Sequence, residues 1–169
     1  MERKFSDQRK KEYDDAVIAI NRITKVTKGG RKLRFSATVA VGNRNGKVGL
    51  GTGKANEVQE AIKKATQDAT NKIINVSIID NRTVSHEAIG EVGSARVLIK
   101  PAIAGTGIIA GGPVRAVLEL AGVKDIISKS LGSNTQLNVA RATVEALKMQ
   151  RTVEKISELR GKTVEEILE

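Results

Sequence analysis

The stretch Leu33-Arg34-Phe35-Ser36-Ala37-Thr38-Val39-Ala40-Val41 places an apolar residue at every second position. Alternation with a period of two is typical of a β-strand that buries one face. Asn43-Arg44-Asn45-Gly46 follows it with the residue types of a hairpin turn and leads into a strand over residues 47–54. Upstream, an apolar stretch over 16–26 ends at the glycine turn 28–31. We therefore predict three consecutive antiparallel strands.

A helix and a short strand complete this first unit. Asn56, with Gln59 three residues later, resembles a capping box and predicts a helix start. Residues 73–79 form an apolar run of strand length. We predict a polar tail over residues 1–11 and an α+β domain over 12–79. The apolar residues at helical spacing are Val58, Ala61, Ile62, Ala65 and Ala69.

The remainder is predicted to be a second α+β domain over residues 80–151, which begins with the linker Asp80-Asn81-Arg82. In residues 152–169 glutamate outnumbers lysine plus arginine, so this tail is predicted to be solvated. The elements predicted in the second domain are strands over 84–92 and 95–100, a glycine-rich segment over 101–112, a helix from Pro113 to Gly122, a strand over 126–131 and a last helix capped by Ser133 or Asn134.

The charge distribution indicates a polyanionic partner. The net charge is +10 and the pI about 10.0, which favours nucleic acid or an anionic membrane. The membrane is set aside because no apolar run approaches the roughly twenty residues of a span, and residues 1–15 lack the apolar region of a secretion signal. Residues 16–54 contain no acidic residue, whereas solvated surfaces mix both signs. The cations of that window are Arg22, Lys25, Lys28, Arg31, Lys32, Arg34, Arg44, Lys47 and Lys54.

Residue types that other functions require are scarce. One Tyr and two Phe cannot build a stacking platform for single-stranded nucleic acid, so RNA is predicted to be recognised through backbone and shape. The absence of Cys and the single histidine, His86, argue against thiolate catalysis, zinc sites of the Cys type and multi-His metal sites. We predict no enzymatic activity, no metal, no cofactor and no small-molecule substrate.

Two glycine-rich segments match nucleotide-binding loops only superficially. Gly49 and Gly53 have three residues between them where a Walker loop needs four, and no Ser or Thr follows Lys54. Residues 105–110 fit the loose dinucleotide pattern. However, Gly111-Gly112-Pro113 delays the helix whose N-terminus would face the pyrophosphate. Neither segment predicts a nucleotide site.

The strand over 47–54 carries glycine at every alternate position, at Gly49, Gly51 and Gly53. Glycine in a strand costs backbone entropy and packs nothing, but it lets another backbone approach closely. That backbone can belong to RNA or to the domain's own helix, and the sequence leaves both alternatives open.

The second domain also contains acid-free windows, over residues 92–118 and 126–144, but with fewer cations. Sparse charge beside many glycines indicates mixed contacts, some with RNA backbone and some with protein. The cations of these windows are Arg96, Lys100, Arg115, Lys129 and Arg141.

Several long motifs occur in one order along the chain: Val26-Thr27-Lys28-Gly29-Gly30-Arg31, Val48–Ala55, Gly105–Gly112, Arg115–Gly122 and Lys129–Ser133. Together they closely resemble the signature of the bacterial small-subunit ribosomal protein five (S-five) family, over roughly residues 12–150. Residues 161–168 are similar to the bacterial tail of that family. Several motifs in order are far more specific than one glycine loop.

The resemblance implies an α+β fold in both domains. The first would be a double-stranded-RNA-binding-like domain, a three-stranded antiparallel sheet plus a helix, without the usual leading helix. The second would be a βαβα-type domain, which unrelated enzymes share, so that fold alone says nothing of activity. The resemblance implies a structural component of the small ribosomal subunit, bound to ribosomes in the cytoplasm.

The resemblance also implies partners. These are ribosomal RNA near the body–head junction, the neighbouring small-subunit proteins four and eight, and messenger RNA at the entrance of its channel, with an influence on decoding accuracy. The alternative is a free double-stranded-RNA-binding regulator. The candidate RNA-binding residues are Arg22, Lys25, Lys28, Gly29, Gly30, Arg31, Lys32, Arg34, Arg44, Lys47, Gly49, Gly51, Gly53, Lys54, Lys129 and Arg141. The candidate protein-interface residues, in the segment that borders the fourth protein in the family, are Gly105, Gly107, Gly111, Gly112 and Arg115.

Overall fold

The computed structural model describes residues 13–168, and the tail predicted over residues 1–11 lies outside them. Its first sheet is antiparallel throughout, with the strands in sequence order, and a helix packs across one face. The three strands predicted from the alternation and the turns are present. The elements are β1 (Asp14–Thr27), β2 (Gly30–Gly42), β3 (Lys47–Ala55), α1 (Val58–Asn71) and the short β4 (Ile74–Asn75).

The second sheet is mixed and has the strand order β5-β6-β8-β7, with only the β7–β8 pair parallel. Two helices pack on one of its faces, so both parts of the chain are α+β as predicted. No helix of the described residues is long and apolar enough to cross a lipid bilayer. The elements are β5 (Ala88–Val92), β6 (Ala95–Pro101), β7 (Ile108–Ile109), α2 (Gly112–Ala121), β8 (Ile126–Ser130), α3 (Gln136–Lys148), α4 (Val153–Arg160) and α5 (Glu165–Leu168).

Both faces of the first sheet are buried at its centre. On one face Ala37 packs with Ala65 of α1. On the other, Ala40 and Val48 belong to a larger core that α2, α3 and the second sheet complete. The second face carries small side chains such as Thr38, which is 4% exposed. Because these side chains are small, the apolar alternation over 33–41 marks only the α1 face.

The helix caps differ from the predicted ones. α1 begins at Val58 with Glu57 as its N-cap and without a capping side chain. The Oδ1 atom of Asn56 accepts a hydrogen bond from Arg34 Nε at 3.1 Å instead, so the predicted capping box is wrong. α3 has Thr135 as its N-cap, later than predicted, and again lacks a capping side chain.

Two short strands also depart from the predictions. The strand predicted over 73–79 is reduced to β4, and Ile79 forms only an isolated bridge with Thr83. β7 lies inside the glycine-rich segment, where no strand was predicted. α2 ends as predicted before Gly122, whose φ of +92° closes the helix in the left-handed region. Residues 152–169, predicted as a solvated tail, contain α4 and α5, and α4 has no buried residue.

Candidate nucleic-acid interface

The β1–β2 hairpin extends beyond the rest of the first sheet. β2 pairs with β3 only from Phe35 onward, whereas β1 and β2 stay paired as far as Thr27 and Gly30. Residues 22–34 are therefore a two-stranded ribbon, which we call the ribbon. Because no third strand of residues 13–168 pairs with the ribbon and few side chains pack on it, most of its side chains face solvent.

The pairing register assigns the ribbon side chains to two faces. Directly opposed residues of an antiparallel pair lie on the same face. Lys25 is opposite Lys32, and Ile23 is opposite Arg34. This face continues onto β3, because Ser36 is opposite Lys54. We call it the cationic face; its charged residues are Lys25, Lys32, Arg34 and Lys54.

The other ribbon face mixes apolar and basic residues. Val26 is opposite Arg31, and Thr24 is opposite Leu33. Val26 is 74% exposed and Leu33 is 49% exposed, so neither has a partner that covers it within the described chain. Arg22 lies on this same face, which continues onto the α1 side of the sheet. The ribbon thus presents two surfaces of different chemistry.

The Lys25–Lys32 pair is unfavourable in the isolated protein. Like charges directly across a strand pair are destabilising. No carboxylate of residues 13–168 forms an ion pair with any cation of the ribbon. A polyanion placed over this face would supply the missing counter-charge. Arg34 is held at the base of the ribbon by Asn56, which fixes its guanidinium while leaving its Nη donors available.

Arg44 and Lys47 are not part of this surface. They lie at the β2–β3 turn, at the opposite end of β2 from the ribbon tip. The 13 residues of β2 separate the two ends by about 40 Å. Arg44 Nε also pairs with Asp14 Oδ2 at 2.9 Å. The acid-free window of the sequence therefore corresponds to two separated places in the fold.

The glycine face of β3 is covered by α1. A Cβ on Gly49, Gly51 or Gly53 would lie 2.2–2.3 Å from a backbone oxygen of Ala69, Ala65 or Ala61, respectively. The close approach that the glycines permit is thus that of the domain's own helix. The prediction that these three glycines bind RNA is wrong, because no second backbone fits between β3 and α1.

Gly29 and Gly30 lie at the ribbon tip. Nothing within the described chain comes near a Cβ placed on either of them, and Gly30 has a φ of +126°. Thr27 Oγ1 donates to Gly30 O at 3.0 Å and closes the turn. The tip is therefore narrow and open, with Lys28 as its one charged residue.

The two predicted RNA-binding cations of the second domain lie away from the ribbon. Lys129 is exposed on β8, and Arg141 is exposed on α3. Arg141 borders a crevice of about 380 Å³ that also includes Asp68 of α1 and Lys72, the C-cap of that helix. Thr52, which lies two residues before Lys54 on the same face of β3, lines this crevice as well, so Arg141 borders the sheet face that carries Lys54, whereas Lys129 lies on the second sheet.

Asp68 accepts a hydrogen bond from the edge of β3 beside that crevice. Its Oδ2 atom accepts hydrogen bonds from Lys72 Nζ at 2.8 Å and from the Thr52 backbone N–H at 3.0 Å. The Lys72 hydrogen bond first, then the Thr52 N–H and the charges of Lys72 and Arg141, lower the pKa of Asp68, although burial opposes this. Because the folded pKa is depressed, this stabilisation is complete at neutral pH and is lost as pH falls through the folded value.

The glycine-rich segment of the predicted protein interface is held by Asp125, which is 4% exposed. Its Oδ1 atom accepts hydrogen bonds from Gly105 N at 3.1 Å and from Gly107 N at 2.8 Å. Arg82 Nε pairs with Asp125 Oδ2 at 3.0 Å. Sequence reasoning missed Arg82 and Asp125, since one lies in a predicted linker and the other in a short connection with no motif.

Arg115 lies on the first turn of α2, and its Nη2 atom donates to Ile108 O at 3.2 Å. It borders an open crevice of about 690 Å³, which Gly111, Ile109 and Lys129 also line. Gly111 and Gly112 have open space around them. The structure thus brings together Arg115, Gly111 and the adjoining segment, as one surface at the β7 edge of the second sheet.

Two family models match most of the chain. The model described as "Ribosomal protein S5, N-terminal domain" matches residues 13–77, and "Ribosomal protein S5, C-terminal domain" matches residues 90–160. The matched ranges contain the sheet with the ribbon and the sheet with α2 and α3. The chain therefore belongs to the ribosomal protein S5 family, structural proteins that bind ribosomal RNA within the small ribosomal subunit.

Proposed function

We propose that the cationic face of the ribbon binds phosphate groups of folded ribosomal RNA and thereby supports the architecture at the body–head junction. The observation that carries this proposal is the Lys25–Lys32 pair, two cations opposite each other on a ribbon whose cations form no ion pair with a carboxylate of residues 13–168. A lysine ammonium neutralises a phosphate as a point charge, while the Arg34 guanidinium can donate two hydrogen bonds to it. The scarcity of aromatic residues favours contact with the backbone of structured RNA.

The ribbon's shape supports a binding mode between RNA helices. Its tip narrows to Lys28 and two glycines, so the ribbon can enter a space that a three-stranded sheet cannot. The Arg31 and Lys32 side chains lie on opposite faces and can reach phosphates on either side. From the same place the protein would contribute to decoding accuracy and to the entrance of the messenger channel. Ribosome binding in the cytoplasm, beside small-subunit proteins four and eight, belongs to this proposal.

The test measures how the binding of wild-type and variant proteins to small-subunit particles depends on salt concentration. The particles are reconstituted without this protein. Lys25→Gln/Lys32→Gln is expected to bind about tenfold or more weakly at moderate salt. It should also reduce the slope of log K against log salt by about 2, because each lost phosphate contact contributes roughly 1. The matched control is Lys155→Gln/Lys162→Gln, two exposed lysines of the acidic C-terminal region. A slope that does not differ between the two variants would contradict the proposal.

Sedimentation of a cell lysate that contains the wild-type chain through a sucrose gradient tests the rival function. Comigration with small subunits at moderate salt is expected. A chain that stays at the top of the gradient and binds generic duplex RNA would instead be a free regulator.

Gly105, Gly107, Gly111, Gly112 and Arg115 are assigned in this proposal to an interface with a neighbouring ribosomal protein. The support is their clustering at one edge, with the loop backbone ordered by Asp125. Arg115→Glu is expected to leave incorporation into subunits intact and to change miscoding by several-fold in a reporter assay. Lys124→Glu, at an exposed cation beyond the other end of α2, is the matched control. Equal error rates for the two variants would contradict the assignment of Arg115 to the interface.

A further inference from the structure

Asn45-Gly46 is the one Asn-Gly pair of the sequence, and it lies in the β2–β3 turn. Asparagine before glycine is especially prone to spontaneous deamidation, because glycine has no Cβ to keep its backbone nitrogen away from the asparagine side chain. Asn45 is exposed, and its side chain forms no hydrogen bond with another residue of 13–168. The side-chain carbon at which this reaction occurs is therefore accessible.

Deamidation of this pair needs no reagent except water. The Gly46 backbone nitrogen loses its proton to base and attacks Asn45 Cγ; a cyclic imide forms, and the side-chain nitrogen takes up a proton and leaves as ammonia. Water then adds to one of the two imide carbonyls and opens the ring. Opening on one side gives aspartate in a normal backbone. Opening on the other side gives isoaspartate, whose backbone runs through the side chain and is one methylene longer.

The fold engages the nitrogen atom that this reaction requires. Gly46 N donates a hydrogen bond to Ala121 O, at the C-terminal end of α2, at 2.8 Å, and Gly46 O accepts one from Val76 N at 2.7 Å. A proton that is bound to a carbonyl oxygen is withheld from base, and a residue anchored on both sides cannot turn its nitrogen toward Asn45 Cγ. The reaction therefore requires that the hydrogen bond between Gly46 and Ala121 is released.

The turn is held against α2 by further close contacts. Arg44 N donates to Leu120 O at 2.9 Å. Gly122, directly after α2, approaches the turn so closely that a Cβ on it would overlap Arg44 O. The turn and α2 belong to the two different family-matched regions. Gly46 N is thus engaged only while these two regions are in contact.

We propose that Asn45 is a modification site whose deamidation is controlled by the contact between the β2–β3 turn and α2. The Asn45 amide is stable while the turn contacts α2, and it is converted to aspartate and isoaspartate in chains whose turn is released. The isoaspartate product prevents the contact from forming again, because the additional methylene displaces Gly46 N from Ala121 O. A transient separation of the two regions thereby becomes permanent.

The first test measures deamidation of the full chain at constant pH and temperature. Cleavage after lysine releases the fragment over residues 33–47, whose deamidation is followed by mass spectrometry. The folded wild type is expected to react at least about 100-fold more slowly than the same chain unfolded in urea, because few folded chains are open at any time. Asn81, which precedes arginine, is the internal control and should stay intact in both samples. Equal rates at Asn45 in the two samples would overturn the proposal.

The second test changes the contact itself. Gly122→Ala is expected to raise the rate at Asn45 at least about tenfold, because the added Cβ displaces the turn from α2. Gly161→Ala is the matched control, since its positive-φ glycine has open space around it, and it should leave the rate unchanged within about twofold. Equal rates for the two variants would contradict control by this contact.

Hydrogen exchange in the wild type tests the same step without any variant. Exchange of the Gly46 N–H and deamidation of Asn45 both require release of the hydrogen bond to Ala121 O. The two reactions should therefore be slowed by the same factor relative to the unfolded chain, within about tenfold. A Gly46 N–H that exchanges at the unfolded rate while Asn45 stays protected would show that another feature protects Asn45.

The last test compares the two products. Chains with isoaspartate at position 45 are separated by ion exchange, and Asn45→Asp is the matched control, because it carries the same charge on a normal backbone. The isoaspartate chain is expected to melt about 3–8 °C below this control, since it loses the hydrogen bonds of Gly46. Equal melting temperatures would overturn the claim that isoaspartate prevents the contact from forming.

Discussion

Asp125 shows how one buried carboxylate can order a loop that has few contacts of its own. Both glycines that it binds have a left-handed backbone, with φ values of +88° at Gly105 and +74° at Gly107. The N–H groups of these two alternate residues converge on one oxygen, Asp125 Oδ1, which satisfies donors that the turn leaves free. Arg82, 45% exposed at its side chain, balances the charge from the solvent side. The loop is thus fixed by charge and backbone geometry rather than by apolar packing.

Removal of the Asp125 carboxylate is expected to cost about 3 kcal/mol in the free energy of unfolding, because it leaves two loop donors and Arg82 without their acceptor. Asp125→Ala should show this loss in urea denaturation. Asp125→Asn, which keeps an acceptor oxygen but not the charge, should lose about half as much. Glu119→Gln, at an exposed carboxylate of α2, should stay within about 0.5 kcal/mol of the wild type. Equal stability of the Ala variant and the control would show that the loop does not depend on Asp125.

At the scale of elements, the sequence was sufficient wherever a pattern depended on near neighbours. The β1–β2–β3 meander follows from alternation and two turns, and the α2 boundaries follow from Pro113 and Gly122. Patterns that depended on distant residues were misassigned. The Asn56 cap failed because Arg34, 22 positions earlier, takes its side-chain oxygen. β7 has two residues and exists only through its pairing with β8, so it had no local signal.

The candidate site shows the same division. The excess of cations over residues 16–54 was visible in the sequence, but the division into a ribbon and a distant turn needed the strand lengths and pairing register. The glycine face of β3 correctly indicated close approach of another backbone. It could not identify that backbone, because α1 and RNA make the same demand on the strand. Arg82 and Asp125 meet only in the fold.

At the scale of the molecule, the two family-matched regions share one core. Ala40 and Val48 of the first sheet pack in the same cluster as Leu118 of α2 and Val97 of β6. The β2–β3 turn also satisfies the end of α2, since Arg44 N donates to Leu120 O at 2.9 Å and Gly46 N donates to Ala121 O at 2.8 Å. The C-terminal carbonyls of α2 thus have backbone partners from the other sheet. Separation of the two regions would expose both the shared apolar core and these carbonyls.

The shared core predicts that the chain unfolds as one cooperative unit. At about 0.7 kcal/mol per residue, the 156 residues from 13 to 168 give an unfolding enthalpy of about 110 kcal/mol near 60 °C. For one unit, the van't Hoff enthalpy of a calorimetric melt should equal this whole value, whereas two independent domains would each give roughly half. Two resolved transitions of half the enthalpy would contradict the prediction.

Gly122→Ala tests whether the contact between the β2–β3 turn and the C-terminal end of α2 makes the two sheets unfold together. A Cβ at Gly122 would lie 2.2 Å from Arg44 O, and φ there is +92°. The expected loss is about 2–4 kcal/mol, or a fall of roughly 5–10 °C in the melting temperature. Gly161→Ala is the matched control, because Gly161 also has a positive φ but has open space around it. If this contact couples the two sheets, Gly122→Ala lowers the melting temperature of both sheets together. Hydrogen exchange should then show a loss of protection in both β2 and β6. Loss of protection in β6 alone would mean that the first sheet is stable without the second sheet.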